Sequence, residues 1–142
     1  MPENCTIYCK QLNLPTLEST LDGYFPKTWK LVDKKSAYLI KQSSSTLRLS
    51  PLVFIERADR FSRLLGSTIV NVESRKGSKP RLKKLVSHLE ECNLIIGVVA
   101  EPNFDAPHVT DLVFEIASQL DGVIFNGDDY LAASGKSMLQ SH

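Results

Sequence analysis

Residues 94–100 read Leu-Ile-Ile-Gly-Val-Val-Ala, a nearly unbroken apolar run that is too short for a buried helix of ordinary length. The run is rich in β-branched residues and is flanked by breakers, which is typical of a strand covered on both faces. Residues 123–125 (Val-Ile-Phe) form a second, shorter run of this kind. A helical pattern separates the two runs, so we expect two neighbouring parallel strands joined by a crossover helix.

The residue pattern predicts further elements on both sides of these runs. The other strands are predicted at 5–9, 29–32, 37–41 and 68–72, and the helices at 15–24, from Ser50-Pro51 to Gly66, at 80–92 and from Pro107 to Leu120. The resulting order is β-α-β-β-α-β-α-β-α-β, with room for one more strand between 130 and 139. We therefore predict an α/β (or α+β) fold that forms a single domain over residues 1–142, with a mixed, mostly buried sheet and about four helices packed on it.

Composition limits the class of protein. The chain has 142 residues, of which 42% are hydrophobic and 23% charged, as in an ordinary globular domain. No apolar stretch approaches the roughly 18 residues that span a membrane, and the first residues lack the pattern of a secretory signal. We therefore expect a cytoplasmic protein that has no membrane partner. The three cysteines have no disulfide or zinc spacing and are predicted to be core residues.

Sequence motifs that carry known chemistry are missing. There is no phosphate-binding G-x-x-x-x-G-K-[ST], no dinucleotide-binding G-x-G-x-x-G and no G-x-S-x-G around a serine nucleophile. There is also no H-E-x-x-H and no pair of C-x-x-C motifs that would hold zinc. The sequence therefore predicts no cofactor and no metal, and it identifies no reaction.

Charge is divided along the chain. Residues 1–84 carry sixteen Lys/Arg and seven Asp/Glu, whereas residues 85–142 carry nine Asp/Glu and one base, Lys136. The net charge of +1 conceals this division. Two oppositely charged surfaces on one domain would each favour a partner of opposite sign, including a second copy of the chain.

One candidate site is acidic. Its members follow the two apolar runs or precede the helix between them: Glu101, Asp105, His108, Asp128 and Asp129. In open α/β sheets, ligands bind outside the carboxyl ends of the strands. Carboxylates and a histidine gathered there would bind a divalent cation or supply a general acid and base. The alternative is that these residues serve only as helix caps and turn residues.

A second candidate site is basic. Six cations fall within ten residues at a predicted loop and helix start: Arg75, Lys76, Lys79, Arg81, Lys83 and Lys84. Such a cluster would bind an anion or a nucleic-acid backbone. Nearby aromatic residues that would stack on bases are missing, and the alternative is a solvated, exposed segment.

Three functions follow from these features, in order of preference. The first is a non-catalytic interaction module that binds a protein partner or a second copy of itself through its divided charge. The second is a small-molecule or metal-dependent enzyme with an acidic site at the C-terminal edge of the sheet. The third is a nucleic-acid-binding protein that uses residues 75–84.

Overall fold

A computed structural model describes residues 4–42, 44–54 and 58–139 as one antiparallel sheet with helices on both faces. In the described residues the strands are β1 (Asn4–Cys9), β2 (Trp29–Val32), β3 (Ala37–Gln42), β4 (Ser45–Val53), β5 (Leu94–Ala100), β6 (Gly122–Phe125), β7 (Tyr130–Ala132) and β8 (Ser137–Leu139). The helices are α1 (Leu14–Tyr24), α2 (Ala58–Glu73), α3 (Lys79–Glu90) and α4 (Ala106–Leu120). The predicted α/β class with four helices is confirmed.

The pairing of the strands differs from the prediction. The sheet order is β2-β3-β4-β5-β1-β6-β7-β8, and every pair of neighbours is antiparallel rather than mixed. The expected parallel contact between residues 94–100 and 123–125 is wrong, because β1 lies between β5 and β6. β1 can occupy the centre because side chains on both of its faces, such as Ile7 and Tyr8, are buried. Since β5 and β6 are both antiparallel to β1, they run in the same direction.

Alternation along the strands separates two hydrophobic cores. On one face, Ile7, Ile96 and Ile124 pack with the apolar sides of α1 and α4. On the other face, Tyr8 and Ile95 pack with the apolar sides of α2 and α3. The sheet is therefore the middle layer of three, and successive residues of a strand point to opposite layers.

Residues 50–53 belong to β4 and not to the predicted helix. Ser50-Pro51 resembles a helix start, but Pro51 pairs with Ile96 of β5. The pairing of β4 with β3 ends at Leu49, so Pro51 has a neighbouring strand on one side only. Proline is tolerated at such a position because its missing N–H is not needed by a second neighbour. Residues 55–57, which the predicted helix also included, lie outside the described residues.

Residues 68–72 belong to α2 and not to the predicted strand. Their β-branched composition (Thr-Ile-Val-Asn-Val) favours a strand, but Phe61, Thr68 and Val72 are all buried at helical spacing. Burial of this face against the sheet outweighs the local propensity. Gly66, which was predicted to end the helix, lies in its exposed middle.

The other predicted helices have the ends that the sequence indicates. The Ser78 side chain caps α3 and that of Asp105 caps α4, and each helix has proline in its first turn. Asp121 ends α4 in a left-handed conformation. None of the helices in the described part of the chain is long and apolar enough to cross a bilayer.

Candidate functional site

Three of the acidic candidates follow strands that end at the same edge of the sheet. Because β5 and β6 run in the same direction, their carboxyl ends lie at the same edge, with β1 between them. Glu101 follows β5 directly, and Asp128 and Asp129 lie in the turn after β6. The predicted common edge is thus present even though the predicted contact between the strands is not.

Several of the acidic candidates have structural contacts. One carboxylate oxygen of Glu101 accepts hydrogen bonds from the backbone N–H and the hydroxyl of Thr46, both at 2.6 Å, and so ties β5 to β4. The Asp105 carboxylate accepts from the backbone N–H of His108 at 3.3 Å. The His108 imidazole Nε2 lies 2.8 Å from the carbonyl oxygen of Tyr24, where it donates a hydrogen bond. These contacts position α4 and α1.

The turn after β6 is held by Asn126. Its side-chain oxygen accepts hydrogen bonds from the backbone N–H groups of Asp128 and Asp129, at 2.9 and 2.8 Å. Across residues 4–42, 44–54 and 58–139, no three or more His, Cys, Asp or Glu side chains are grouped so that they could hold a metal ion. The contacts at this edge support the alternative interpretation, in which these residues serve as helix caps and turn residues.

Arg75 of the basic cluster packs against the sheet. Its guanidinium lies 5.5 Å from the ring centre of Phe125 and 5.1 Å from that of Tyr130, and it donates a hydrogen bond to the carbonyl oxygen of Asp128. The two rings stack on each other at 4.5 Å. Burial raises the pKa of Tyr130 to about 12 although Arg75 opposes this shift. Arg75 therefore joins α2 to the turn after β6.

The bases of α3 line two different grooves. Lys79 and Lys83 line a groove of about 430 Å³ together with Glu73 and Glu90. Arg81 and Lys84 line a pocket of about 200 Å³ on another side of the helix, together with residues of strands β7 and β8 and of the turn between them. The sequence cluster is thus divided between a mixed-charge groove and a separate pocket, with Lys76 exposed in the preceding loop.

Charge is divided between the two faces of the sheet. Helices α1 and α4, which we call the acidic layer, carry no Lys or Arg and four acids, namely Glu18, Asp22, Asp111 and Glu115. The continuous segment 58–90, which forms α2 and α3 on the opposite face, carries eight Lys/Arg and three Asp/Glu. The fold therefore turns the division along the chain into a division in space, with α1 from the basic half of the chain joining the acidic layer.

The strands place their bases on the same side as α2 and α3. The described strands contain three Lys or Arg residues: Lys30, Lys41 and Arg48. Tyr38, Ile40, Leu47 and Leu49 on β3 and β4 pack toward α1 and α4, as does Trp29 on β2. Since neighbouring residues of a strand point to opposite faces, all three bases point away from the acidic layer. We call this side, with α2 and α3, the basic face.

Exposed apolar side chains also concentrate on the basic face. Val99 on β5 is 60% exposed and is paired in register with Arg48. Val70 and Leu64 on α2 are 66% and 41% exposed. Single exposed apolar side chains are normal on protein surfaces, so these residues add apolar area to the basic face without defining a binding patch by themselves.

Several members of the basic face were not among the predicted site residues: Lys30, Lys41, Arg48 and Lys136. The sequence pattern of the strands indicates that the first three bases are exposed, because each of them alternates with apolar residues that are typical of a core. The pairing needed to put them on one face was not available from the sequence. Lys136 reads as an isolated base, and only the packing of α3 near β8 brings it to Arg81 and Lys84.

Comparisons of the chain with protein-family models, with curated proteins and with solved structures found no match.

Proposed function

We propose that this protein is a non-catalytic interaction module whose basic face binds a protein partner with an acidic surface. The observation that carries the proposal is the separation of charge onto opposite faces of one sheet. The alternative function, an enzyme with an acidic site, receives less support. Glu101, Asp105 and His108 instead make contacts that hold strands and helices of the fold together.

The two charged surfaces act independently in solution. Each packed layer adds about 10 Å, so the outer surfaces of the helices on opposite faces lie more than about 20 Å apart. The Debye length at physiological ionic strength is about 8 Å. An approaching partner therefore interacts mainly with the charges of the nearer face, although the whole chain has a net charge of only +1. Such a field steers a partner of opposite charge and raises its rate of association.

The surroundings of the bases favour a protein over a nucleic acid. Exposed Val70 and Val99 give the basic face apolar area, and Glu73 and Glu90 stand beside Lys79 and Lys83. Acids on the surface would repel a phosphate backbone but would pair with cations of a protein. Tyr8, Phe61 and Tyr130 in the core beneath this face are buried and cannot stack on bases, whereas Phe54, which packs against Phe61, is 42% exposed.

The proposal is tested by titrating the protein with a labelled peptide rich in Glu and Asp and, in parallel, with duplex DNA. Fluorescence anisotropy at several salt concentrations measures both. We expect saturable peptide binding that weakens as salt rises, since the contacts are electrostatic. A triple variant Lys30→Gln, Lys41→Gln and Arg63→Gln should weaken peptide binding by about tenfold or more, because three exposed charges of the basic face are removed at about 0.5 kcal/mol or more each.

The matched control is Lys10→Gln. Lys10 is also a lysine, but it lies within 4.0 Å of both Glu91 and Asp121, so its charge is compensated locally. This variant should bind the peptide like the wild type. Sedimentation at the same salt concentrations separates self-association from binding of another protein, since the acidic layer of a second copy is itself a ligand of the right sign. Tight binding of duplex DNA without binding of the acidic peptide would contradict the proposal and favour the nucleic-acid alternative.

A further inference from the structure

A small basic pocket is built from two distant parts of the chain. Arg81 and Lys84 are one helical turn apart on α3 and so lie on the same side of that helix. Lys136 of the β7–β8 turn and Ser137, the first residue of β8, complete a pocket of about 200 Å³. Every charged residue that lines the pocket is basic.

The turn that carries Lys136 is held in shape by its own backbone. The N–H of Ala132 donates to the carbonyl oxygen of Lys136 at 2.8 Å, and that of Gly135 donates to the carbonyl oxygen of Ala132 at 2.9 Å. Gly135 has a φ of 89°, which side chains rarely tolerate and which glycine adopts without strain. The backbone of Lys136 is therefore set in place before any ligand arrives.

Ser137 supplies a second kind of group. Its hydroxyl oxygen is buried and has no hydrogen-bond partner within the described part of the chain. Buried hydroxyl groups in folded proteins are nearly always hydrogen-bonded, so such a group requires an explanation. Ser137 lines the pocket, so rotation about its χ1 would turn the hydroxyl toward a ligand oxygen there, which would accept its hydrogen.

From these groups we infer that Arg81, Lys84, Lys136 and Ser137 form a binding site for a phosphoryl group. Three cations and one hydroxyl match a tetrahedral dianion with three terminal oxygens better than they match a carboxylate with two oxygens and one charge. The volume is below the 300–1,000 Å³ that is usual for sites of drug-sized ligands, which fits a single group rather than a whole nucleotide. The site is independent of the proposed partner, because it needs only the phosphoryl group.

Inorganic phosphate is the first probe. We expect a titration followed by two-dimensional ¹H–¹⁵N NMR to give saturable shifts at the amides of residues 81–84 and 136–137. Sodium chloride at matched ionic strength should not reproduce them. A phosphoserine peptide and its unphosphorylated form distinguish the sources of the group. Tighter binding of the phosphoserine peptide than of free phosphate assigns the site to a modified protein, whereas equal or weaker binding assigns it to small phosphates.

The variants compare adjacent lysines. Lys84→Ala and Lys136→Ala should each weaken phosphate binding by about tenfold, since each removes a charge-assisted contact. Lys83→Ala is the matched control, because Lys83 is on the same helix but lines the groove with Glu73 and Glu90. Equal losses for Lys83→Ala and Lys84→Ala, or shifts that chloride reproduces, would overturn the inference. The residues changed in the acidic-peptide test do not line this pocket, so the two proposals can fail separately.

Discussion

The hydrogen bond between Tyr8 and Thr68 provides a direct test of the position of α2. The Tyr8 hydroxyl oxygen lies 3.0 Å from Oγ1 of Thr68 in the core between β1 and α2. The Thr68 hydroxyl donates its hydrogen to the carbonyl oxygen of Leu64 at 2.9 Å, so Tyr8 is the donor of the shared bond. The contact requires residue 68 to pack over β1, and in the structure α2 places it there, whereas sequence propensity predicted a strand.

The expected energies follow from which group loses its partner. Thr68→Val keeps the shape of the side chain but leaves the Tyr8 hydroxyl buried without an acceptor, which costs about 1–3 kcal/mol in the free energy of unfolding. Tyr8→Phe leaves Thr68 its bond to Leu64 and costs about 0.5–1.5 kcal/mol. In the double variant no unpaired hydroxyl remains, so its loss of stability should be smaller than the sum of the two single losses by at least about 0.5 kcal/mol.

Urea unfolding followed by circular dichroism measures these differences for the two single variants and the double variant. For a chain of this size, 1 kcal/mol corresponds to about 2–4 °C in Tm, so thermal unfolding gives an independent measurement. Thr20→Val is the matched control, because the Thr20 hydroxyl donates only to the carbonyl oxygen of Thr16 within α1. It should change stability by no more than about 0.5 kcal/mol. Losses for Tyr8→Phe and Thr68→Val that add to within about 0.3 kcal/mol would refute the contact between the two side chains and the packing of residue 68 over β1.

Three further predictions concern a glycine pair, a histidine and an arginine. Gly66→Ala should raise the free energy of unfolding by about 0.5–1 kcal/mol, because the new Cβ would meet open space in the middle of a helix. Gly122→Ala should lower the free energy of unfolding by about 1–3 kcal/mol, because the new Cβ would lie 2.9 Å from a side chain of β1. Urea midpoints that move in the same direction for the two variants would contradict this prediction. Burial lowers the pKa of His88 below its ordinary value of about 6.5, so the unfolded chain binds more protons than the folded chain. The contribution of His88 to stability is therefore complete above about pH 6.5 and is lost as the pH falls further. His88→Gln should flatten the pH dependence of the free energy of unfolding between about pH 7.5 and 5.5, and an unchanged slope would contradict this prediction. Arg81→Glu would place an acid three residues after the capping residue Ser78, the arrangement that stabilises a helix start. The variant should raise the free energy of unfolding by about 0.3–1 kcal/mol and should weaken phosphate binding. A lower Tm would show that α3 does not begin as described.

Local signals were sufficient to predict most elements of the fold but not their pairing. Proline and cap residues mark the starts of α3 and α4, and the apolar run at 94–100 marks β5, because each signal acts within a few residues. Residues 68–72 could not be assigned correctly, since their β-branched composition favours a strand and only burial against the sheet selects the helix. The position of β1 between β5 and β6 depends on contacts between residues about 90 and 115 positions apart, which periodicity does not encode.

The candidate sites show the same limit. The sequence identified the cations of 75–84, but it could not show that Arg75 is held by Phe125 and Tyr130 or that Lys83 and Lys84 line different grooves. The acidic residues after β5 were recognised as a cluster because strand ends are local features. Their hydrogen bonds to other elements become visible only once the sheet order is known.

Helix electrostatics does not account for the division of charge between the faces. Acids are favoured in the first turn of a helix and bases in the last turn, each by about 0.3–1 kcal/mol. The first turn of α3 instead carries Lys79 and Arg81 without an acid, and the last turns of α1 and α4 carry none of the bases that would be favoured there. Within α1, however, Glu18 accepts a hydrogen bond from the Tyr38 hydroxyl and Asp22 accepts one from the indole N–H of Trp29, so these two acids are fixed by contacts within the fold. The helix dipole therefore disfavours the bases at the start of α3, and the proposed binding of an acidic partner would account for their presence on the basic face.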